Sequence, residues 1–487
     1  MKARIPAAVA ELAAELAKAG FQAYLVGGCV RDLLLKREPK DWDIATDATP
    51  EKIQGLFPES VYENQFGTVG VKTGSEEPQL KIVEITTFRT EAGYSDRRHP
   101  DQVKFARTVA EDLARRDFTM NAIAMDVDGG IVDPYGGAAD IKAGVIRTVG
   151  GPEERFGEDA LRLMRAVRLA TELGELGFEI EAGTKKAVHK LAPLLKDIAL
   201  ERVRDELVKI LLAPRAADGI LLLEEAGLLQ YILPELREGI GVGQNLHHIY
   251  TVFEHSVRAL RYTAEKGYAL PVRLAAFLHD LGKPRTKAGE GLHSTFYGHE
   301  VVGARMAAKA LEHLRFPKDL IEQAVHLIRR HMFYYNVGDV SPAGVRRFVA
   351  RVGAENIDDL LKVREADRIG SGTPKAVPYK LRHLLFMIEN VKRDPISPKM
   401  LKVNGEDVMR LTGERPSPKI GQILGALLEE VLDDPDKNKK AYLEKRVVEL
   451  NKLPAKKLEE LLRQARERKD ELEGEAEEEM KKKFRVQ

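Results

Sequence analysis

Two aspartates separated by one residue, Asp41 and Asp43, are the residues best suited to chemistry in the first part of the chain. Residues i and i+2 of a β-strand point to the same face, roughly 7 Å apart along the chain. Two carboxylates so placed can hold a pair of Mg²⁺ ions about 3.5–4 Å apart, a geometry that activates a hydroxyl and stabilises a leaving pyrophosphate. A lone pair of this kind is more often a solvated surface feature, so the surrounding sequence must decide.

A diglycine turn, Gly27-Gly28, precedes the two acids. The apolar run 24–26 predicts a strand before the turn, and the pattern over 30–35 predicts a helix after it. Glycines let backbone N–H groups approach a triphosphate closely at a helix N-terminus, which favours anions. The spacing is neither that of a Walker loop nor that of a Rossmann fingerprint. The order of strand, diglycine, helix and acidic strand predicts a nucleotidyltransferase.

A second polar motif, Arg115-Arg116-Asp117, lies just before the apolar segment 122–125. The two cations suit phosphate oxygens, and the acid can accept a hydrogen bond from a ribose 2′-hydroxyl. On its own the motif would be an exposed ion pair at the start of a helix. Its place after the acidic strand favours contact with a nucleotide.

Asp159 and Arg162 lie three residues apart in a stretch with helical apolar spacing, so one helix over 157–176 is predicted to carry both on one face. The acid can accept from the exocyclic amine of a base, and the guanidinium can donate to a ring nitrogen or carbonyl. Because C and A carry that amine whereas U and G carry a carbonyl, the pair would select CTP and ATP without a nucleic-acid template. The alternative is a helix salt bridge worth only about 0.2–0.5 kcal/mol.

Histidines are concentrated farther along: nine of the twelve fall between His247 and His331. His279 and Asp280 follow an apolar run that predicts a helix. Mixed imidazole and carboxylate ligands suit Mn, Fe, Co or Ni, with Mg possible, and such metals activate water for attack on a phosphoester. Isolated histidines are mostly core or surface residues. The further candidates are His255, His299, His331 and Asp367, with His293 competing with His299.

These nucleotide-binding motifs, together with the segment Asp133–Arg147, resemble class II tRNA nucleotidyltransferases, the bacterial and eukaryotic CCA-adding enzymes, in one superfamily with bacterial poly(A) polymerases. The resemblance covers roughly the first 215 residues. It implies template-independent addition or repair of the 3′-terminal CCA of tRNA from CTP and ATP. The motifs that carry it are Leu25–Asp32 with Asp41–Asp43, Arg115–Ala122, Asp133–Arg147 and Glu158–Arg162.

The resemblance also implies roles for single residues. Asp41 and Asp43 would bind catalytic Mg²⁺, and Glu84, on a run with strand character, would add a third carboxylate. The residues implied in nucleotide binding are Gly27, Gly28, Arg31, Arg116, Asp117, Asn121, Asp159, Arg162 and Arg165.

The segment Phe277–Pro284 resembles HD-superfamily metal-dependent phosphohydrolases. That resemblance implies a divalent metal, Ni²⁺, Mn²⁺, Co²⁺ or Mg²⁺. A 2′,3′-cyclic phosphate or a 3′-phosphate on RNA would fit a repair role, since either blocks the 3′-hydroxyl needed for extension. One metal would be held by His255, His279, Asp280 and Asp367, with His299 and His331 positioned for a second.

At 487 residues the chain should form several domains. We expect an α+β fold, a small mixed β-sheet head followed by a large all-α remainder. A single cysteine excludes an internal disulfide, and the lack of a signal peptide or long apolar stretch predicts a cytoplasmic protein with no membrane partner. The expected parts are the head (1–150), a neck with the base-reading motif (151–215), a helical body (216–245), an HD domain (246–370) and a helical body and tail (371–487).

Charge and loop composition bear on the alternatives. The net charge is only +1, so RNA must bind a local patch such as the arginines at 162, 165 and 168. The polar stretch 87–100 predicts a mobile loop, and in the family a loop here helps switch specificity from C to A. Two alternative functions remain within the superfamily. One is an enzyme that adds only A or only CC to tRNA. The other is a poly(A) polymerase, but the basic aromatic segment of those enzymes has no match in residues 63–71. An alternative from another class of enzyme is an HD phosphodiesterase or phosphatase with a degenerate head.

The charged tail from 451 predicts a solvated helix, with an arm that contacts RNA or a second subunit as the alternative.

Overall fold

The structure is a computed structural model that describes residues 5–64, 67–93, 102–245, 249–333, 335–338, 340–454, 456–461 and 463. The chain divides into two compact units. The first comprises Met1–Ile240, Ala264–Arg273 and Ala308–Ile321. The second comprises Gly241–Thr263, Leu274–Ala307 and Glu322–Gln487.

The first unit begins with a seven-stranded mixed sheet of strand order β3-β4-β5-β2-β1-β8-β9. Strand β2 is central, antiparallel to β1 and parallel to β5. The side chains of β5 alternate between exposed and buried, as a strand with one covered face requires. The strands are β1 Ala23–Val26, β2 Asp43–Thr46, β3 Ser60–Asn64, β4 Thr68–Lys72, β5 Ile82–Thr87, β6 Arg89–Ala92, β7 Gln102–Phe105, β8 Ala124–Met125 and β9 Ile131–Val132.

Five helices accompany these strands. The sequence 109–114 is helical because Thr108 and Glu111 form a capping box that satisfies the first backbone N–H groups. The helices are α1 Ala7–Lys18, α2 Gly28–Leu34, α3 Pro50–Leu56, α4 Val109–Ala114 and α5 Gly137–Ala143.

The predicted loop over 87–100 is wrong in its first part. Thr87 ends β5, and β6 pairs antiparallel with β7 in a separate two-stranded sheet. The charged side chains of β6 are paired rather than solvated, with Nε of Arg89 2.8 Å and Nη1 of Arg115 3.2 Å from Oε1 of Glu91, so a polar composition did not prevent strand formation. The segment from Tyr94 to Pro100 lies outside the described residues.

The rest of the first unit is mainly helical, as expected. Helix α7 packs against α9 and α10 through a face that buries Met164 and Val167. A short parallel pair joins β10 Val145–Ile146 to β11 Glu179–Ile180. The helices are α6 Pro152–Glu158, α7 Leu161–Leu173, α8 Ala182–Leu191, α9 Leu200–Leu212, α10 Ala216–Glu225, α11 Leu229–Ile232 and α12 Pro234–Arg237.

The remaining helices carry the histidine-rich region and the C-terminal part. Leu401, Val403, Ile420 and Ile423 share one buried core with residues of the last three helices. The charged tail from 464 onward lies outside the described residues. The helices are α13 Val252–Glu265, α14 Leu270–Leu278, α15 Lys283–Thr286, α16 His299–His313, α17 Lys318–Arg330, α18 Pro342–Val352, α19 Ile357–Gly370, α20 Tyr379–Val391, α21 Gly405–Thr412, α22 Pro418–Asp433 and α23 Lys440–Asn451.

A mixed-sheet head followed by helices confirms the predicted fold class. The five-part division stays a prediction.

Candidate active site and metal centre

The sheet brings three acidic residues together. Asp43 is the first residue of β2 and stands directly opposite Glu84 in the parallel β2–β5 pair. Asp41 lies in the turn before β2 rather than on the strand itself. Burial raises the pKa of Asp43 to about 7, helped by the charges of Asp41 and Glu84 and opposed by Arg116. Crowded carboxylates of this kind favour a bound cation.

The diglycine turn lies against these acids. Gly27 has a φ of 77°, a conformation that disfavours any side chain. A Cβ atom at Gly27 would lie 2.9 Å from Nη1 of Arg116 and 3.6 Å from Oδ2 of Asp43. A Cβ atom at Gly28 would lie 3.8 Å from Oδ1 of Asp41. Position 27 therefore favours glycine for its backbone angle and for the close approach of Arg116, whereas the distances to the acids are ordinary van der Waals contacts.

A chain of hydrogen bonds links the turn to the helical part of the unit. Arg31 Nη1 donates to Oδ1 of Asn121 at 3.0 Å, and Asn121 Nδ2 donates to Oδ1 of Asp117 at 3.2 Å. Arg165 Nε donates to the other oxygen of Asp117 at 2.7 Å. Burial alone would raise the pKa of Asp117, but Arg165 and Arg162 outweigh it and hold that pKa well below its usual range. Asp117 is therefore a fixed anion.

A pocket of about 220 Å³ opens between these groups. Nε of Arg116 is buried and has no hydrogen-bond partner in the described part of the chain. A buried cationic N–H without an acceptor suits an anionic oxygen such as that of a phosphate. The pocket is lined by Arg115, Arg116, Asp117, Arg162 and Arg165.

Asp112 orients two of these arginines, a role that the sequence analysis missed. Arg115 Nη2 lies 2.8 Å from Oδ1 of Asp112, and Arg116 Nη2 lies 3.3 Å from its Oδ2. The spacings i, i+3 and i, i+4 on α4 and its continuation were a usable signal.

The prediction that Asp159 and Arg162 share a face of one helix is wrong. Asp159 has φ −137° and ψ 104°, so the chain breaks between α6 and α7. Its Oδ1 accepts the backbone N–H of Leu161 at 3.1 Å, which stabilises the break. Its carboxylate pairs with Arg202 of α9. Arg162 instead pairs with Glu158 and donates to the carbonyl oxygen of Arg155.

The second unit gathers the other predicted group into one buried cluster. His255 Nε2 and His279 Nε2 lie 3.0 Å apart, and His299 Nε2 and His331 Nε2 lie 3.3 Å apart. Oδ2 of Asp280 lies 3.1 Å from Nε2 of His255, and its Oδ1 lies 3.3 Å from Nε2 of His299. Four imidazoles therefore converge on one carboxylate.

Asp367 closes the cluster. Its Oδ1 lies 3.4 Å from Nε2 of His255 and 3.6 Å from Nε2 of His279. The atoms of His255, His279 and Asp367 lie within 4.8 Å of one another, as do those of His279, Asp280 and His331. All six predicted ligands thus occur together, and either group of three could hold a metal ion.

The orientation of the histidines tests whether a cation fits. Three Nδ1 atoms, those of His279, His299 and His331, lie 2.8, 2.8 and 2.7 Å from the carbonyl oxygen three residues earlier. A carbonyl oxygen can only accept, so each Nδ1 carries the proton and each neutral Nε2 directs its lone pair inward. The Nε2 lone pairs and the carboxylate oxygens then face one another, and such an arrangement suits a bound divalent cation.

Without a bound cation, the carboxylates favour a proton on the inward Nε2 of His279, the same atom that would bind a metal ion. Burial alone would lower the pKa of His279, but Asp280 and Asp367 outweigh it and raise that pKa to about 10. The centre therefore favours positive charge.

Three neighbours of the cluster were not predicted. Lys283 Nζ lies 2.7 Å from Oδ2 of Asp280 and donates to Oε1 of Gln244 at 2.6 Å. Arg364 Nη1 donates to Oδ2 of Asp367 at 2.7 Å. The i, i+3 spacing of Asp280 with Lys283 and of Arg364 with Asp367 was an available signal, whereas nothing local pointed to Gln244.

A close backbone contact fixes the cluster. A Cβ atom at Gly282 would lie 2.2 Å from the carbonyl oxygen of His299 and 2.5 Å from the backbone nitrogen of Gly303. The turn after Asp280 therefore lies directly against the start of α16, which carries His299.

The other histidines of this region lie apart from the cluster. His293 and His313 are exposed, so His299 rather than His293 joins the cluster. His326 Nε2 bonds the carbonyl oxygen of Val352 at 2.7 Å. His247 and His248 lie outside the described residues.

Three family models match the chain. The poly A polymerase head domain matches residues 23–147. A probable RNA and SrmB-binding site of polymerase A matches residues 177–240, and the HD domain matches residues 252–371.

Similar proteins have been characterised in bacteria. The CCA-adding enzyme of Geobacillus thermodenitrificans is 48% identical over 225 residues, 46% of this chain and 54% of that protein. The chain thus spans about half the length of the CCA-adding relatives it matches. The A-adding tRNA nucleotidyltransferase of Deinococcus radiodurans is 40% identical over 343 residues, 68% of this chain and 76% of that protein.

Among solved structures, the Bacillus stearothermophilus CCA-adding enzyme in complex with CTP is 32% identical, with a TM-score of 0.66. The match covers 91% of this chain and 96% of that one. None of the helices in the described residues has both the length and the apolar character needed to cross a membrane.

Proposed function

The chain belongs to the family of class II CCA-adding enzymes, and on this premise we propose that it adds or restores the 3′-terminal CCA of tRNA from CTP and ATP. The observation that supports the proposal best is the grouping of Asp41, Asp43 and Glu84 beneath the diglycine turn. An arginine-lined pocket in the same unit offers a place for the nucleotide.

We assign the metal-binding role to Asp41 and Asp43, with Glu84 as a further ligand. Bound Mg²⁺ would neutralise the triphosphate and favour ionisation of the tRNA 3′-hydroxyl. The guanidinium of Arg116, whose Nε–H has no partner in the described part of the chain, would bind phosphate oxygens, and Asn121 and Arg165 hold Asp117 in place. The 3′-oxygen bonds to the α-phosphorus of the nucleotide, with release of pyrophosphate and the hydroxyl proton.

We propose that Asp159 and Arg162 read the base, each held in place by a different residue: Arg202 binds Asp159, and Glu158 binds Arg162. Each carboxylate oxygen has two lone pairs, so the ion pair with Arg202 leaves Asp159 able to accept from an exocyclic amine. Glu158 fixes the guanidinium of Arg162 from the other side. Fixed groups choose between bases because a mismatched base leaves a polar atom unpaired.

The test uses three tRNA transcripts that end at the discriminator base, after C, and after CC. Each is incubated with purified protein, Mg²⁺, CTP and ATP, singly and together, and read on a sequencing gel. Growth of the shortest transcript by three nucleotides and no further supports the proposal. A long A ladder would favour a poly(A) polymerase. Loss of extension in Asp41→Ala, with the wild type active, ties the activity to the carboxylates.

A-only addition is the second candidate. The A-adding relative matches 343 residues of the chain, whereas the CCA-adding relative matches 225. Extension of only the CC-ended transcript would favour this candidate. Growth that stops at CC would instead indicate a CC-adding enzyme.

We further propose that the HD region is a metal-dependent phosphohydrolase. The cluster of His255, His279, Asp280 and Asp367, with His299 and His331 beside it, supports this assignment through its inward lone pairs. A bound Ni²⁺, Mn²⁺ or Co²⁺, or Mg²⁺, would activate water toward a phosphoester.

The HD assay measures release of product from 2′,3′-cAMP with added Ni²⁺ or Mn²⁺. Activity above that of His279→Ala is expected, and none above it would reject the proposal. Asp41→Ala should abolish nucleotide addition and leave hydrolysis intact. Hydrolysis in a wild-type protein that never extends tRNA would favour the degenerate-head alternative.

A further inference from the structure

Three aromatic side chains form a row along one face of α20. Tyr379, His383 and Phe386 occupy positions i, i+4 and i+7, which share a helix face. Tyr379 and Phe386 are 62% and 60% exposed. The ring centroids of Tyr379 and His383 lie 6.1 Å apart, as do those of His383 and Phe386. We call these three residues the aromatic stripe; a surface that exposes such rings together usually serves binding.

A fourth ring fixes the stripe. Tyr335 stacks on His383, with centroids 5.9 Å apart and ring planes 30° from parallel. The Tyr335 hydroxyl and Nδ1 of His383 are also joined by a hydrogen bond. The central ring of the stripe is therefore held in one orientation, which reduces the entropy lost when a flat ligand stacks beside it.

Tyr335, which stacks on His383 of the stripe, lies close along the chain to a ligand of the HD metal centre. Tyr335 follows the candidate ligand His331 by four residues, a span of at most roughly 14 Å. Between them, the ring of Phe333 lies 5.7 Å from the guanidinium of Arg364. Arg364 in turn donates to the candidate ligand Asp367. Since Tyr335 stacks on His383 of the stripe, His383 lies within roughly 20 Å of His331, a distance that a few nucleotides can span.

The charge around the stripe indicates what kind of ligand fits. Residues 375–394 contain five cations and two acids, Glu389 and Asp394. Glu389 pairs with Lys392 at 3.4 Å, and Asp394 pairs with Arg346 at 3.0 Å. The chain as a whole is nearly neutral, so this excess of positive charge is local. Aromatic faces among cations are the chemistry that binds single-stranded nucleic acid, because rings stack on bases and cations attract phosphates. The exposed cations are Lys375, Lys380, Arg382, Lys392 and Arg393.

We propose that the aromatic stripe stacks the unpaired bases at the 3′ end of single-stranded RNA and so presents its terminal phosphate to the HD centre. The second part of this inference rests on the proposed phosphohydrolase function. The surrounding cations favour RNA over a protein partner or a second copy of the chain, because the core of a protein interface is depleted of charged residues, lysine among them.

The test measures the affinity of the full-length protein for a short 5′-labelled RNA that ends in CCA 3′-phosphate, by fluorescence anisotropy. Phe386→Ala and Tyr379→Ala should each raise Kd at least about fivefold, the lower range for loss of one stacked base. Phe386→Tyr should keep wild-type affinity. The control Val448→Ala, at a 39% exposed position on α23, should bind as the wild type does.

Abasic RNA separates stacking from charge. Removing the terminal bases should weaken binding to the wild type by a larger factor than binding to either alanine variant, since each variant has lost one of the stacking rings. An unchanged Kd in both alanine variants would overturn the proposal. A changed sedimentation coefficient with an unchanged Kd would also overturn it, because it would indicate that a second copy of the chain covers the stripe.

Hydrolysis distinguishes this inference from the proposed function. Stripe-dependent RNA binding in a protein that hydrolyses no phosphoester would support RNA binding and reject the HD activity. Hydrolysis of the RNA 2′,3′-cyclic phosphate with equal KM in the wild type and both alanine variants would reject the proposed role of the stripe in RNA binding.

Discussion

Arg202 binds Asp159 through both carboxylate oxygens, with Nη1 3.3 Å from Oδ1 and Nη2 2.8 Å from Oδ2. Asp159 lies in the break between α6 and α7, whereas Arg202 belongs to α9. The two-point contact fixes the plane of the carboxylate, which a single point charge would not. Arg202 is thus a positioning residue for the group that we propose reads the base.

Replacing Arg202 should therefore relax base choice more than it slows the reaction. With Arg202→Lys we expect the kcat/KM of CTP over UTP to fall roughly tenfold, since loss of one charge-assisted bond is worth about 1.5–3 kcal/mol. Single-nucleotide incorporation with each of the four triphosphates measures this ratio. Glu201→Gln, at an exposed neighbouring position, is the control. Equal losses for all four nucleotides would point to a purely structural role.

Gly27→Ala should weaken triphosphate binding. The φ of 77° and ψ of −134° at position 27 lie in a sparsely populated region that costs alanine about 1–3 kcal/mol, and the Cβ atom would displace the Arg116 guanidinium 2.9 Å away. We expect at least a tenfold rise in the KM of ATP. Gly20→Ala is a matched control, because Gly20 has φ +86° and nothing within 4 Å of a Cβ atom. It should lose similar stability with KM unchanged. Similar KM values for both variants would contradict the steric explanation.

Asp43 should make the metal-free protein less stable as the pH rises. Its pKa is about 7 in the folded protein and near 3.8 when unfolded, so the folded state holds a proton that the unfolded state has lost. Stability should fall between about pH 4 and pH 7. In EDTA, Asp43→Asn should therefore melt a few degrees above the wild type at pH 8 and level with it at pH 4.5. Mg²⁺ should remove the difference at pH 8, and parallel curves of melting temperature against pH would refute this account.

Metal should stabilise the HD centre through the clustered histidines only. After treatment with a chelator, Mn²⁺ or Ni²⁺ should raise the melting temperature of the wild type, since a ligand at 100 times its Kd contributes about 2.7 kcal/mol. His279→Ala should lose the part of this response that Asp41→Ala retains, since Asp41→Ala removes only the metal site of the head. His293→Ala should keep it, because His293 is exposed and lies outside the cluster. A loss in His293→Ala as well would mean that the metal binds elsewhere.

The sequence was most informative where chemistry depends on near neighbours. The i, i+2 spacing of Asp41 and Asp43 and the glycines before them were enough to predict a nucleotidyltransferase, and the matched relatives confirm the family. The HD cluster could be anticipated because the order of its ligands is a family pattern. The roles of all these residues stay predictions.

The sequence was least informative where distant residues meet. Apolar spacing predicted an unbroken helix through Asp159, but the backbone turns there, and the carboxylate that accepts from Leu161 N–H at the turn is also bound by Arg202, 43 residues away. The polar stretch near Arg89 formed a strand because β7 pairs with it. Periodicity describes a segment by itself and contains no information about such partners.

Gly282 bears on how this centre could be lost during evolution. Any side chain there would push α16, and His299 with it, away from the turn that carries Asp280. A descendant could keep every histidine and aspartate and still lose the centre through one methyl group. Judging whether a relative retains the activity therefore requires looking at a residue that has no ligand atom at all.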